Sequence, residues 1–215
     1  MNQLRFLIVL SALIISTTAL AQEHDHEHRA PKPLKQGNGK PVVLSSEDKT
    51  EWIVNSIADQ LVIISDSHWH EGEYCHLVAL LKTVVAARPT DVESFSNAGW
   101  LLWSMDRDLE AIALYEQGLQ SNLTSAFMFD ELGHYYFQRK KDYSKALKYY
   151  KSASEKKDVN MLTLHMLAHT YEKLNQFDGA MKVWERCASN PTDGAAKTNL
   201  ARLKVKMNQK GARTI

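Results

Sequence analysis

The feature that most constrains this chain is a small residue that returns at a nearly constant distance. Gly99, Gly133 and Ala168 are separated by 34 and 35 residues. Each is followed by a second small residue after 12 or 13 positions and by a large aromatic residue after 16 or 17. Self-similarity at a period of roughly 20–50 residues is the signature of a repeat architecture. We therefore expect a stack of similar units rather than one globular core.

Each unit has the pattern of two helices joined by a short polar turn. Apolar residues recur at helical spacing on both sides of the turn. The small residues allow the two helices to approach closely, and Tyr115, Tyr150 and Trp184 fill the space toward the next unit. The third unit holds one extra residue, which we expect in its turn, between Gln138 and Tyr143. One helix pair cannot bury its own apolar face, so the units must stack.

These spacings resemble the tetratricopeptide repeat, as in "ELGHYYFQRKKDYSKALKYYKSA" and "MLAHTYEKLNQFDGAMKVWERCA". The resemblance implies an all-α fold of helix-turn-helix repeats that stack in a right-handed superhelix. The first unit is the most divergent, because Ser65 and Leu77 replace the expected small residues. We predict a repeat domain over residues 45–210, with units at about 58–91, 92–125, 126–160 and 161–194.

A final helix is predicted after Pro191. Ala196, Leu200, Leu203 and Met207 form one apolar stripe, and lysines and arginines occupy the other faces. An array needs such a helix at its end, with an apolar face toward the last repeat and a polar face toward water. We therefore predict a capping helix over about residues 195–209.

The first 44 residues differ in composition from the repeats. A basic start, an apolar stretch over Phe6–Ile15 and the site Ala19-Leu20-Ala21 predict a signal peptide over residues 1–21, cleaved after Ala21. Residues 22–44 predict a disordered linker that contains histidine and proline. Ser45 and Asp48 then have the pattern of a helix start. We expect an exported protein in the periplasm or external medium, without a stable membrane anchor after cleavage.

Charge and residue types exclude several classes of function. Without Arg5, the chain carries 25 basic and 25 acidic residues, which is not the concentrated positive charge of a nucleic-acid-binding protein. Two cysteines, Cys75 and Cys187, are too few for a disulfide scaffold, and the stacking of the units places them far apart. No arrangement of a nucleophile with a base, paired carboxylates or a phosphate-binding glycine loop stands out. The sequence therefore predicts a protein that is not an enzyme.

The resemblance implies that the first helices of the units line a concave groove. Residues one and four after each repeating small residue, and three and six before it, should face the groove. For Trp100 and for Trp103, both the groove and the core between helices remain open. We expect few lysines and arginines there, and a protein or peptide segment as the ligand. The candidate partner-binding residues are Trp100, Trp103, His134, Phe137, His165 and His169.

Two groups of histidines offer a second interpretation, as a metal-handling protein. Cleavage after Ala21 makes His24 the third residue, and an amino terminus with such a histidine can hold Cu(II) or Ni(II). His26 and His28 add weaker ligands, although the same residues also suit a solvated linker. His68, His70 and His76 lie around the first turn with Glu71, Glu73 and Cys75, and these imidazole, carboxylate and thiolate groups could bind zinc or copper. His68 also has the repeat position of a packing residue. Self-association of the repeats is a third alternative, and no other cofactor is predicted.

Overall fold

The computed structural model describes residues 45–211 of the chain. The predicted signal peptide and linker, with His24, His26 and His28, lie outside the described residues. Between residues 45 and 211 no residue is in a β-strand, and no helix there is long and apolar enough to cross a membrane. The helices are α1 (Ser46–Glu71), α2 (Tyr74–Ala87), α3 (Val92–Ser104), α4 (Asp108–Ser121), α5 (Phe127–His134), a π-helix (Tyr135–Arg139), α6 (Tyr143–Ser154), α7 (Met161–Lys173), α8 (Phe177–Ala188) and α9 (Gly194–Gly211).

The helices pack as consecutive pairs. α1 packs on α2, α3 on α4, α5 on α6 and α7 on α8, and the second helix of each pair also contacts the first helix of the next pair. α9 packs against α8 and ends the array. The prediction of an all-α array of helix pairs is confirmed, and the pairs α3–α4, α5–α6 and α7–α8 lie within the three most regular predicted units.

The repeating small residues are positions of close helix contact. A Cβ atom on Gly99 would lie 2.3 Å from the ring of Tyr115, and one on Gly133 would lie 2.8 Å from the ring of Tyr150. Each tyrosine therefore packs on the glycine of its own unit, in addition to the contact toward the next unit that the sequence predicted. Tyr115 makes that contact too, because its ring centroid lies 6.4 Å from that of Tyr135.

The extra residue of the third unit lies in the helix rather than in the turn. Lys140 N–H donates to the carbonyl of Tyr135, five residues earlier, which closes the π-helix. A π-turn inserts one residue into a helix while the segments on either side continue as before. The predicted position in the turn is therefore wrong. The insertion falls at Tyr135–Arg139, the segment that contains the candidate binding residue Phe137.

The two ends of the array are built differently. Ala196 and Leu203 of α9 are fully buried against Trp184 and its neighbours, as the apolar stripe predicts. At the other end, Ser45 caps α1 through a reciprocal pair of hydrogen bonds with Asp48, as the sequence also predicts. α1 has 26 residues and begins twelve residues before the predicted start of the first unit at about 58. Cys187 is buried and Cys75 is exposed.

Candidate functional site

One face of the first helices carries large side chains at equivalent repeat positions. Trp69, Trp100 and Trp103 belong to the positions one and four residues after the repeating small residue. The ring centroids of Trp69 and Trp100 lie 5.9 Å apart, and those of Trp100 and Trp103 lie 6.1 Å apart. Tyr74 packs edge-on against Trp69 at 6.2 Å. We call Trp69, Tyr74 and Trp100 the aromatic patch, because each exposes 40–43% of its surface.

The two tryptophans that the sequence left undecided have different environments. Trp100 is 41% exposed, so part of its ring is available to a ligand. Trp103 is partly buried on the main core, and its indole N–H donates to the hydroxyl of Tyr115 at 3.3 Å. Trp103 therefore supports the patch from below, whereas Trp100 forms its surface.

A pocket of about 520 Å³ lies on the same repeat positions at the other end of the face. Three cations line it: Lys173 at the end of α7, and Arg202 and Lys206 from α9. The expectation of few lysines and arginines is wrong at this end, because it considered only the first helices and α9 contributes two of the cations. We call this the basic pocket; it is lined by Phe137, Gln138, Met166, His169, Glu172, Lys173, Asn199, Arg202 and Lys206.

One of the three cations is already neutralised. Arg202 donates to both carboxylate oxygens of Glu172, at 2.7 and 2.8 Å. Burial alone would raise the pKa of Glu172, but hydrogen bonds from Arg202 and Trp184 hold it below its ordinary value. Lys173 and Lys206 lie over the rings of Tyr143 and Phe177 instead, and neither forms an ion pair with a carboxylate of the described residues. The pocket thus retains positive charge.

The three candidate histidines are separated by the structure. His169 lines the basic pocket with its ring 5.0 Å from that of Trp184, and burial lowers its pKa. His165 lies 2.6 Å from the carboxylate of Asp193, the residue that caps α9, so it joins α7 to the capping helix. His134 is partly buried and does not line the pocket, and burial lowers its pKa. Of the three, only His169 lines the pocket that could hold a ligand.

Sequence reasoning missed a carboxyl group withdrawn from water in the middle of the array. Partial burial, and then the charge of Asp130, raise the pKa of Glu131 to about 7. Burial also raises the pKa of Asp130. One carboxylate oxygen of Asp130 and the hydroxyl of Tyr150 are buried without a hydrogen-bond partner among the described residues. Nothing in the local sequence indicates this environment, because the neighbouring unit creates it.

A cluster of metal-ligand types forms at the turn between α1 and α2. His68 Nδ1 lies 2.6 Å and His76 Nδ1 lies 3.2 Å from the same oxygen of Glu73. These hydrogen bonds, first from His76 and then from His68, hold the pKa of Glu73 below its ordinary value. His70 points elsewhere and lies 3.7 Å from Asp66. Of the ligand types that the sequence places around this turn, the structure therefore brings together His68, Glu73 and His76, and it leaves His70 out.

Comparison with known proteins agrees with the helix arrangement. The sequence model of the tetratricopeptide repeat matches residues 163–190. The fold is similar to a crystal structure of MamA, with 20% identity over 67% of this chain and 85% of the other and a TM-score of 0.56. It is similar to PilF of Pseudomonas aeruginosa, with 14% identity over 73% and 71% and a TM-score of 0.58. It is also similar to PilW, a type IV pilus biogenesis factor, with 15% identity over 72% of each chain and a TM-score of 0.56.

No curated protein sequence gives a significant match. At these low identities the solved structures inform on the fold alone. The family match lies on α7 and α8, the pair whose sequence carries the repeat most clearly. The same small and aromatic residues recur in the two preceding pairs, where the structure shows them in close contact. The repeat period, the stacked helix pairs and the family match at residues 163–190 together show an all-α array with the fold of tetratricopeptide repeats.

Proposed function

We propose that this protein is an exported, non-catalytic scaffold that binds an extended segment of a partner protein along the face defined above. The segment lies between the aromatic patch and the basic pocket. The observation that carries the proposal is the basic pocket, with Phe137 and two lysines free of carboxylate partners among the described residues. A pocket at the end of a face that also exposes two tryptophans suits a linear ligand with two kinds of anchor.

The aromatic patch supplies the apolar anchor. Tryptophan and tyrosine bury large areas with few rotatable bonds, and they are enriched among residues that dominate binding energy. Trp69 and Trp100 pack against each other with their rings tilted by 30°, so their exposed parts are held in place before a ligand arrives. A ligand side chain that is aromatic or aliphatic would bury these parts without a large entropic cost.

The basic pocket supplies the polar anchor. Lys173 and Lys206 line the pocket together with Phe137 and His169. A carboxylate of the ligand would accept hydrogen bonds from the two lysines, and its neighbouring apolar atoms would contact Phe137 and Met166. Charge-assisted bonds of this kind are about twice as strong as neutral ones. We therefore expect partner segments with aspartate, glutamate or a terminal carboxylate at one end.

A displayed library of random twelve-residue peptides tests this function. We expect enrichment of peptides that combine an aromatic or aliphatic residue with an acidic residue. Binding of a labelled, enriched peptide should weaken at least tenfold in Trp100→Ala and in Phe137→Ala, since the loss of a central anchor costs about 2 kcal/mol or more. The melting temperature of Trp100→Ala should change little, because its ring is exposed.

The basic pocket is tested by reversing charge. Lys173→Glu and Lys206→Glu should each weaken the binding of an acidic peptide. Added salt should weaken this binding more in the parent than in either variant. Lys204→Glu is the matched control, because Lys204 lies on the same helix, is exposed and does not line the pocket. A library that yields no binder, or binders indifferent to all these changes, would contradict the groove as the functional surface.

Metal handling is the second candidate, and the cluster of His68, Glu73 and His76 favours it. Their ligand atoms all lie within 4.8 Å of one another, and imidazole with carboxylate suits zinc or copper. Titration with Zn²⁺ should show one site that His68→Ala and His76→Ala weaken, while His70→Ala leaves it unchanged. A separate Cu²⁺ or Ni²⁺ site lost in His24→Ala would assign metal binding to the amino terminus. Equal binding by all variants would contradict both sites.

Export is part of the proposal and rests on the sequence of residues 1–21. Amino-terminal sequencing of the protein that cells accumulate tests it. We expect a chain that begins at Gln22, recovered outside the cytoplasm. A chain that retains Met1 in the cytoplasm would contradict export and leave the groove proposal intact.

A further inference from the structure

Helix α1 has two apolar faces, and only one of them is covered. The covered face packs on α2 through Ala58 and Ser65, the two residues of α1 that are buried. A second face, about 100° away around the helix, carries Ile53, Ile57 and Ile64, all of which are exposed. Trp52 and Ile63 flank this face and are exposed as well. Within the described residues, nothing lies on the second face.

The equivalent positions in the other units form a surface on which the preceding helix pair packs. Ile64 directly precedes the repeating small position of the first unit and is 45% exposed. The equivalent residues of the next three units are buried, with exposed fractions of 0, 0 and 3% for Ala98, Leu132 and Leu167. Four positions earlier, Gln60 is exposed, whereas its equivalents Ser94, Met128 and Thr163 are buried. In those units the preceding helix pair covers the face; α1 has no preceding pair among the described residues.

Two candidate covers within the chain do not fit an apolar surface. The predicted linker, residues 22–44, has little apolar content before Val42, Val43 and Leu44. The outer side of α9 carries Lys197, Lys204 and other cations, so a head-to-tail contact between α9 of one copy and α1 of another would bury charge without a partner.

The face is complementary to itself. Six residues form a stripe with spacings of four, four, three, four and seven residues, which keep side chains on one side of a helix. Lys49 lies at one end of the stripe and Glu71 at the other, and both are exposed and make no ion pair within the described part of the chain. We call this the stacking stripe: Lys49, Ile53, Ile57, Gln60, Ile64 and Glu71.

We propose that two copies of this chain pair through their stacking stripes, antiparallel and about a twofold axis. With Gln60 at the axis, Ile57 of one copy lies opposite Ile63 and Ile64 of the other. The same alignment brings Lys49 opposite Glu71 at both ends. Isoleucines then flank the Gln60 pair at the axis on both sides, and opposite charges meet at the rim, as in a specific interface with a polar rim. An isologous contact of this kind closes after two copies.

Sedimentation velocity of the complete protein, as cells produce it, tests the pairing. We expect a dimer at tens of micromolar. Ile57→Glu and Ile64→Glu should each weaken dimerisation at least tenfold, because a charge would be buried at the centre of the stripe. Leu109→Glu is the matched control, since Leu109 is an exposed apolar residue of α4 that is far from the stripe in sequence. It should leave the dimer unchanged.

Charge reversal distinguishes this alignment from any other dimer. Lys49→Glu and Glu71→Lys should each weaken dimerisation several-fold, and the double variant should restore it. A disulfide at the axis gives an independent measurement. In a Cys75→Ser background, Gln60→Cys should crosslink two copies on mild oxidation, because only residues near the axis bring equal positions within about 7 Å. Val62→Cys, on the opposite side of α1, should not crosslink.

The proposal is overturned by a protein that is monomeric at 100 µM, whether residues before Ser45 or a different protein then cover the stripe. It is also overturned by a dimer that is indifferent to Ile57→Glu and Ile64→Glu, or by a double charge reversal that fails to restore pairing. Peptide binding in the groove is measured separately with Phe137→Ala, so the failure of one proposal leaves the other standing.

Discussion

The apolar faces at the two ends of the described array differ: the one at the carboxyl end is covered within the chain, and the one at the amino end is exposed. At the carboxyl end, α9 places Leu203 against Trp184 and turns its lysines outward, so the last helix pair is covered within the chain. At the amino end, α1 presents Ile53, Ile57 and Ile64 to water. The difference shows that an apolar stripe on a terminal repeat helix does not by itself determine whether the stripe is buried. The stripe becomes core or interface according to what lies next to it.

The largest expected change in stability comes from comparing Leu203→Ala at the carboxyl end with Ile57→Ala at the amino end. Leu203→Ala should lower the free energy of unfolding by about 2–5 kcal/mol, because Leu203 is fully buried. Ile57→Ala should change it by no more than about 0.5 kcal/mol in a dilute monomeric sample, because Ile57 is exposed. Urea unfolding at low micromolar concentration measures both.

Repeating the measurement at high protein concentration sharpens the contrast. If the stacking stripes pair, the parent gains stability with concentration by mass action and Ile57→Ala gains less. A large loss for Ile57→Ala in the dilute monomer would mean that another part of the chain covers the stripe.

The next expected effect is a pH dependence of stability, at a repeat position that is exposed in the first unit and partly buried in the third. Glu131 occupies in its unit the place of exposed Ile63, and its pKa is raised from 4.5 to about 7. Below about pH 4.5 the carboxyl group is protonated in both states. As the pH rises to 7, the unfolded chain ionises first, so the contribution of Glu131 to stability falls by up to about 3 kcal/mol.

Glu131→Gln should therefore stabilise the fold at pH 8 and leave it unchanged at pH 4, as measured by chemical unfolding at the two values. Asp130 also faces Glu131, and its charge helps to raise the pKa of Glu131. Glu131→Gln therefore removes both the cost of burying the Glu131 charge and its repulsion with Asp130. Glu116→Gln, an exposed change on α4, is the control. Equal stability of parent and Glu131→Gln at pH 8 would show that Glu131 is solvated like the side chains of the open end.

A smaller effect is expected from filling a close contact in the middle of the array. Gly133→Leu places a side chain where a Cβ atom would already lie 2.8 Å from Tyr150. The helices must separate, at a cost of about 1–3 kcal/mol. Gly194→Ala, where nothing lies within 4 Å of the added atom, should be neutral in thermal unfolding. Equal melting temperatures for both variants would contradict the close packing on which the repeat depends.

The smallest effect is expected from removing residues 22–40, which precede the open end. That stretch has almost no apolar side chains to bury, so the melting temperature should change by less than about 1 °C. A loss of several degrees would mean that these residues contribute to the fold, and it would make them a candidate cover for the stacking stripe.

Much of the fold was predictable because its information is local and repeated. The spacing of Gly99, Gly133 and Ala168 predicted close helix contacts, and the stripe after Pro191 predicted α9 with its buried residues. The extra residue of the third unit was found but placed in the turn. A π-turn and a longer loop add the same residue count, and only the backbone hydrogen bonds tell them apart.

The candidate site was less predictable, because its parts come from different units. The repeat positions indicated Trp100, Phe137 and His169, but they did not separate exposed Trp100 from partly buried Trp103. Lys206 lies about 40 residues from His169 in sequence, and helix packing alone brings both to one pocket. The sequence placed six ligand types around the first turn, but the turn geometry, rather than residue spacing, decides that His68, Glu73 and His76 are the ones that come together.

By itself, the sequence determined the class of this protein: a period of 34 or 35 residues, helices throughout the repeats and a polar-backed helix to end them. These properties follow from short-range periodicity, which every unit repeats. The tertiary structure decided which of several similar apolar residues are covered. Leu132 is buried and Ile64 is exposed at the same repeat position, because burial is a property of the neighbouring helix pair, and the first described unit has none before it.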